Sequence, residues 1–111
     1  MNAAIYGYVP TVEWLLNYAR VKKLARFNPN DVSSTMNAVV LALQHIVVRA
    51  RLGDPITHVR IVKRNGIPRH AIVLRNNWEA GGAKDKHIIR IKNILGTEQD
   101  PGWFSLYCQN I

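Results

Sequence analysis

The chain is poor in cysteine, in acidic residues and in long apolar runs. Its single cysteine, Cys108, excludes an intrachain disulfide framework and any site built from several thiolates. The most apolar stretch, residues 38–48, is about half as long as a membrane helix requires and contains Gln44 and His45, so no membrane span is expected. There is no internal repeat and no low-complexity tract, which excludes solenoids and flexible linkers.

Targeting and metal-binding signals are also missing. The first residues carry no basic segment and include Pro10, Glu13 and Asn17, which is not the pattern of a secretory signal peptide. The four histidines lack His-x-x-x-His spacing, which argues against a zinc or iron site. Gly81-Gly82 is expected to have no helix after it, which argues against a phosphate loop. No metal and no cofactor is therefore predicted.

What is present indicates one folded domain over residues 1–111. The hydrophobic share is 48% and the charged share 20%, which removes the signature of disorder. Fifteen Lys and Arg against seven Asp and Glu give a formal charge of +8. Such an excess of positive charge favours a polyanionic partner, and nucleic acid is the leading candidate.

Hydrophobic periodicity predicts two helices and then four strands. Thr11 is the expected N-cap of a helix over 11–25, and a second helix over 31–52 is expected to end at Gly53 in a left-handed C-cap. The spacing of apolar residues then changes to two, which predicts strands over 58–63, 69–75, 86–95 and 103–110. We therefore predict an α+β fold in which two N-terminal helices pack on one face of a four-stranded antiparallel sheet, in the order ααββββ.

Asn65-Gly66 is the strongest local signal, because a type I′ turn needs positive φ at both positions. A two-residue loop also fixes the register of the hairpin: it predicts that Arg64 faces Ile67, that Val62 faces Arg69 and that Arg60 faces Ala71. Side-chain alternation then divides the strands into an apolar and a polar face. The apolar face, which the helices should cover, collects Val59, Ile61, Ile72, Leu74, Ile89, Ile91, Phe104, Leu106 and Cys108. The opposite face collects His58, Arg60, Arg69, Arg75, Arg90, Lys92, Trp103, Ser105, Tyr107 and Gln109.

The polar face is either the solvated side of the sheet or a surface for nucleic acid. Residues 55–95 hold nine basic residues against Glu79 and Asp85, whereas a merely solvated face mixes both signs. Cations neutralise phosphates, and interleaved aromatic rings stack on unpaired bases. The candidate nucleic-acid-binding residues are Arg60, Arg69, Arg75, Lys84, Lys86, Lys92 and Trp103.

Histidines among cations are also the parts of a metal-independent ribonuclease, which needs a base, an acid and a positive charge on the phosphate. The candidate catalytic residues are His58, His70, His87, Arg90 and Tyr107. His70 and His87 fall near strand ends, where an edge cleft can form. His45 is expected to be a surface or packed histidine, and a structural role remains the alternative for each of the others.

The predicted order of elements in a small basic chain resembles the barnase, EndoU, colicin and RelE-like ribonuclease fold of bacterial toxins. The segment Lys84-Asp85-Lys86-His87 is similar to the Lys-x-Lys-His cluster of colicin D-type tRNases, although that family places it before the helices. The resemblance implies cation roles for Lys84 and Lys86, a base role for His87 and a tRNA-like substrate. It also implies an acidic immunity or antitoxin partner, delivery within a larger secreted protein and action in the cytoplasm.

A rival resemblance comes from Arg69-His70 and from Lys92-Asn93 with Gly96-Thr97, which look like the His and Asn blocks of papain-like cysteine peptidases. His70 and Asn93 share a face in the predicted sheet, and an Asn that orients a His can activate a thiol. Ser33 and Ser34 stand where that family has its nucleophile, and Cys108 lies elsewhere, so the resemblance implies an inactive or substituted relative. A third alternative is a viral or phage factor that binds nucleic acid or protein without catalysis.

Overall fold

The computed structural model describes residues 3–79 and 81–107 and has the element order βααββαβ. The elements are β1 (Ala4–Tyr8), α1 (Val12–Val21), α2 (Val32–Arg49), β2 (Val59–Arg64), β3 (Ile67–Asn76), α3 (Asp85–Leu95) and β4 (Gly102–Ser105). The α+β class and the four-stranded antiparallel sheet are confirmed. The sheet order is β2-β3-β1-β4, so a strand that precedes both helices lies inside the sheet.

The two N-terminal helices begin within one residue of the predicted starts, after the N-caps Thr11 and Asp31. The side chain of Thr11 accepts from the backbone N–H of Trp14 at 3.1 Å, and that of Asp31 accepts from Ser33 at 3.0 Å. Both helices end earlier than predicted, at Val21 and Arg49. The left-handed position after α2 is held by Arg51 with φ 56°, not by Gly53. The predicted glycine cap is therefore wrong.

The main core lies between the helices and one face of the sheet. It is formed by apolar side chains of α1 and α2 with contributions from the strands, among them Leu15, Val39, Leu43, Ile46 and Ile72, all of which are almost fully buried. The 18 residues of α2 have a mean hydropathy of 1.2, so by length and composition alone this helix meets the minimum for crossing a membrane. Its buried side chains form the centre of this core.

The β2–β3 hairpin has the predicted register. Arg64 pairs with Ile67, Val62 with Arg69 and Arg60 with Ala71, and both Asn65 and Gly66 have positive φ. The tip of this hairpin, residues 63–69, is exposed throughout. The five residues of β1 pair with β3 only from Ile72 to Asn76, so within the described part of the chain no third strand supports the tip.

The opposite face of the sheet is not open, because the sheet curls until its two edges meet. Val62 of β2 bridges Leu106 beyond β4, and the N–H of Tyr107 donates to the carbonyl of Ile61 at 2.9 Å. The curl encloses a second core of Ile5, Val62, Ala71 and Val73, with Phe104 and Leu106 packed against it. Ile61, expected under the helices, is 43% exposed. The two-face division of the sheet is therefore only partly correct.

The predicted strand over 86–95 is wrong, because this segment is the helix α3. Its apolar residues fit both periods, but Ile88, Ile91 and Ile94 form a helical stripe against the core, whereas Ile89 is 58% exposed. The helix ends at Gly96 in the left-handed conformation. Arg90 and Lys92 consequently lie on a helix and not on the sheet. A helix also follows the Gly81-Gly82 loop, where none was expected. Cys108 and Gln109 lie outside the described residues.

The close approach of β1 to β3 at Gly7 can be tested by substitution. A Cβ at this position would lie 1.8 Å from the carbonyl oxygen of Ile72, so Gly7→Ala must push the two central strands apart. We expect a loss of roughly 2–4 kcal/mol in the free energy of unfolding, measured by chemical denaturation. Gly82→Ala is the control, because nothing lies within 4 Å of a Cβ there. Equal stability of the two variants would contradict the close approach.

Candidate functional site

Two histidines and an arginine lie near one another, close enough for their charges to interact, around the end of α2, the start of β2 and the first half of α3. Arg90, on α3, donates from Nη1 to the backbone carbonyl of Ala50 at 3.3 Å. The charges of His58, just before β2, and of Arg90 both act on the imidazole of His87. We call His58, His87 and Arg90 the histidine cluster.

The imidazole of His58 makes a hydrogen bond that a backbone N–H would otherwise make in the sheet. The backbone N–H of His58 donates to the carbonyl of Asp54, and its ring Nδ1 donates to the carbonyl of Val73 at 2.7 Å. A carbonyl only accepts, so the hydrogen resides on Nδ1 and Nε2 is the nitrogen able to take up or release a proton. A side chain at Gly53 would crowd Nε2, because its Cβ would lie 3.1 Å away.

The imidazole of His87 is held in its uncharged form. Burial, followed by the positive charges of Lys84, Lys86, Arg90 and His58, lowers the pKa of His87 below its ordinary value of 6.5. Like charges disfavour a further proton, as burial does. At neutral pH this ring can therefore accept a proton.

The start of α3 concentrates positive charge beside His87. Lys84 precedes the first turn in an extended conformation and its side chain makes no capping hydrogen bond. Lys84 and Lys86 are both exposed, and the helix dipole adds a partial positive charge at this end. Asp85 in the first turn supplies the single carboxylate of the four-residue segment. The arrangement combines proton-transfer groups with cations that can hold an anionic oxygen.

His70 and Tyr107 lie on a different groove. This groove, of about 490 Å³, runs between α2 and the β2–β3 hairpin and is lined by Val40, Gln44, Pro55, Ile56, Val59, Arg60, Ile61, His70, Leu106 and Tyr107. Burial lowers the pKa of His70. The five predicted catalytic residues therefore fall into two groups, the histidine cluster and the pair on this groove. His45 is a packed histidine whose Nδ1 lies 2.8 Å from the hydroxyl of Tyr18.

The predicted nucleic-acid-binding residues are spread more widely. Arg75 lies over the ring of Trp103 at 5.8 Å, and Trp103 lies 5.2 Å from the ring of Tyr6. A bulge opposite Tyr6 and Gly7 breaks the alternation of β3 next to Arg75. Lys92 is paired with Asp100 at 2.7 Å, so its charge is already compensated. Arg69 stands on the exposed hairpin tip.

Sequence reasoning overlooked two cations of that tip, Lys63 and Arg64, and the aromatic ring of Tyr6. Lys63 was missing from the polar face because alternation placed it on the covered side. The exposure of these cations could have been inferred from the length of the hairpin, which is longer than the strand that pairs with it. The part of a hairpin that extends past its neighbouring strand is exposed on both faces. Tyr6 lies on β1, a strand that was not predicted.

Comparison with protein-family models, with curated proteins and with solved structures finds no match. The assignment of the site therefore depends on its geometry. For the papain-like alternative, the predicted shared face of His70 and Asn93 is wrong, because Asn93 is an exposed residue of α3.

The lowered pKa of His70 predicts that the protein loses stability in acid. Because burial lowers its pKa in the folded state, the unfolded chain binds its proton more readily. Stability from this residue is present above about pH 6.5, the ordinary value, and is lost as the pH falls through the folded pKa. We expect the free energy of unfolding to fall between pH 7.5 and 5 by less in His70→Gln than in the wild type. An identical fall in both proteins would contradict the burial of this ring.

Proposed function

We propose that the chain binds RNA and cleaves it without a metal ion at the histidine cluster. The observation that carries the proposal is the setting of His87, a histidine whose pKa is lowered by burial and by nearby positive charges, among them a second histidine and an arginine. Such a group supplies a base, an acid and a positive charge within one site, which phosphodiester cleavage by the 2′-hydroxyl requires.

In the proposed reaction the 2′-oxygen attacks the adjacent phosphorus, and the bond from phosphorus to the 5′-oxygen breaks. His87, uncharged at neutral pH, accepts the proton of the 2′-hydroxyl. His58 gives a proton from Nε2 to the leaving 5′-oxygen, while its bond to Val73 keeps the ring oriented. The products are a 2′,3′-cyclic phosphate and a 5′-hydroxyl, and no water or metal is consumed in this step.

The negative charge that builds on the phosphate needs a positive partner. Arg90 is suited to this role, because one of its amino groups is anchored on Ala50. Within residues 3–79 and 81–107 no other hydrogen bond of its guanidinium is found, so its other donors can bind phosphate oxygens. Lys84 and Lys86 are exposed beside it and act on the approaching strand as mobile charges. Removal of a preorganised donor of this kind costs on the order of 10²-fold in rate.

The rest of the surface fits a folded RNA such as tRNA. The hairpin tip offers Lys63, Arg64 and Arg69 to phosphates, and Trp103, 49% exposed, offers a ring to an unpaired base. The same net charge of +8 would suit an acidic immunity or antitoxin protein. Delivery within a larger secreted protein and action in the cytoplasm belong to this proposal.

The test is cleavage of total tRNA by purified wild-type protein in EDTA. We expect discrete fragments with 2′,3′-cyclic phosphate ends, and a loss of about 10²–10⁴-fold in rate for His87→Ala. Cleavage should increase as the pH rises through a value below 6.5, because the base must lose its proton.

His45→Gln is the control, because this histidine packs against Tyr18 of α1 and is not part of the histidine cluster. If the protein binds tRNA in a salt-dependent manner but does not cleave it, the chain is a binding protein and the proposed catalytic activity is wrong. Neither binding nor cleavage at low salt would contradict the proposal as a whole.

A further inference from the structure

A basic pocket lies at the corner between α1 and α2. It has a volume of about 630 Å³ and is lined by Arg20, Lys23, Leu24, Ala25, Arg26, Phe27 and Pro29. Three of these seven residues are cations and none is acidic. Arg20 lies over the ring of Phe27 at 5.5 Å, which fixes its guanidinium at the wall of the pocket.

The positive charge of this pocket is not compensated locally. Among residues 3–79 and 81–107, no carboxylate forms an ion pair with Arg20, Lys23 or Arg26. The nearest acidic residue that follows in the chain, Asp31, accepts the backbone N–H groups of Ser33 and Ser34. Three uncompensated cations around one concavity create a site for an anion with several oxygens.

The backbone conformation of Lys23 is a separate observation. The residue has φ 56° and closes a Schellman motif, in which the N–H of Leu24 donates to the carbonyl of Ala19 at 2.9 Å. Glycine is the residue favoured at this position, because a Cβ is strained there. The chain does use glycine in the left-handed position at the end of α3, at Gly96.

The end of α2 repeats this choice, since Arg51 also has φ 56° and follows Ala50, the residue bound by Arg90. A lysine and an arginine therefore occupy two positions at which glycine would make the helix end more stable. A strained backbone that persists at a charged surface points to a role for the charge.

We propose that the corner pocket binds phosphate groups of a nucleic acid strand, as a second contact remote from the histidine cluster. That the strand is RNA rests on the proposed function. That the pocket binds phosphate rests on the residues of the pocket alone. Arg20 and Arg26 supply planar donors for phosphate oxygens, and Lys23 supplies a point charge.

The two contacts lie at opposite ends of α2. The pocket adjoins Pro29, just before the helix, and the histidine cluster adjoins Ala50, just after it. With 18 residues, α2 is about 27 Å long. At about 3.4 Å per nucleotide of a stacked strand, a strand that reaches both sites spans about eight nucleotides. The substrate class is therefore a strand longer than this, not a dinucleotide.

The experiment measures binding of a labelled RNA of about 20 nucleotides as a function of salt concentration. Lys23→Gly, Arg20→Gln and Arg26→Gln should each reduce the slope of log affinity against log salt by about 0.7, the value for one phosphate of a single strand. Lys23→Gly should at the same time raise the melting temperature by about 2–5 °C. A weaker binder that is more stable cannot be explained by unfolding.

Lys22→Gln is the matched control, because it removes the same charge one residue away, outside the pocket. Equal slopes for Lys22→Gln and Lys23→Gly, or slopes unchanged in all pocket variants, would overturn the inference. Binding to phosphatidylserine vesicles in preference to the RNA would also overturn it. If the pocket variants bind less tightly while His87→Ala cleaves as the wild type does, the pocket stands and the proposed catalytic site fails.

Discussion

The structure depends on the insertion of β1 between β3 and β4. Ile5 of this strand is fully buried in the second core, and Tyr8 belongs to the main core and donates from its hydroxyl to the carbonyl of Gln99 at 2.6 Å. One strand of five residues therefore contributes to both cores and pairs the N-terminal part of the chain with its C-terminal part. The curled sheet that results has its far face filled by the second core, so that face is not an open surface for binding.

Nine of the fifteen lysines and arginines are grouped in three places. These are the histidine cluster with Lys84 and Lys86, the unsupported hairpin tip, and the corner between α1 and α2. The corner between α1 and α2 contains Lys23, which has a left-handed backbone conformation. The histidine cluster lies next to Arg51, which has the same conformation. Charge at these positions is kept at a cost to local backbone stability. The proposed RNA strand carries negative charge along its whole length and would bring phosphates to three separate places of this kind.

The sequence predicts well where the determinants are local. Asn65-Gly66 fixes the hairpin and its register within a few residues, and Thr11 and Asp31 set the starts of two helices. The strand β1 could not be recognised in this way, because its five residues gain their stability from partners about seventy and one hundred positions away. The isoleucines of α3 fit a strand and a helix alike, and packing against the core selects the helix. His58 and His87 were both named as candidates, but their proximity depends on α3 and could not be predicted.

The most direct test of the account is to follow the four imidazoles by NMR as an RNA that cannot be cleaved, with 2′-deoxy substitutions, is added. His58 and His87 should shift together and saturate at the same RNA concentration, because one phosphate contacts both. His45, bonded to Tyr18, and His70, on the separate groove, should not respond. Shifts of His70 in place of the pair, or of none of the four rings, would contradict the assignment of the histidine cluster.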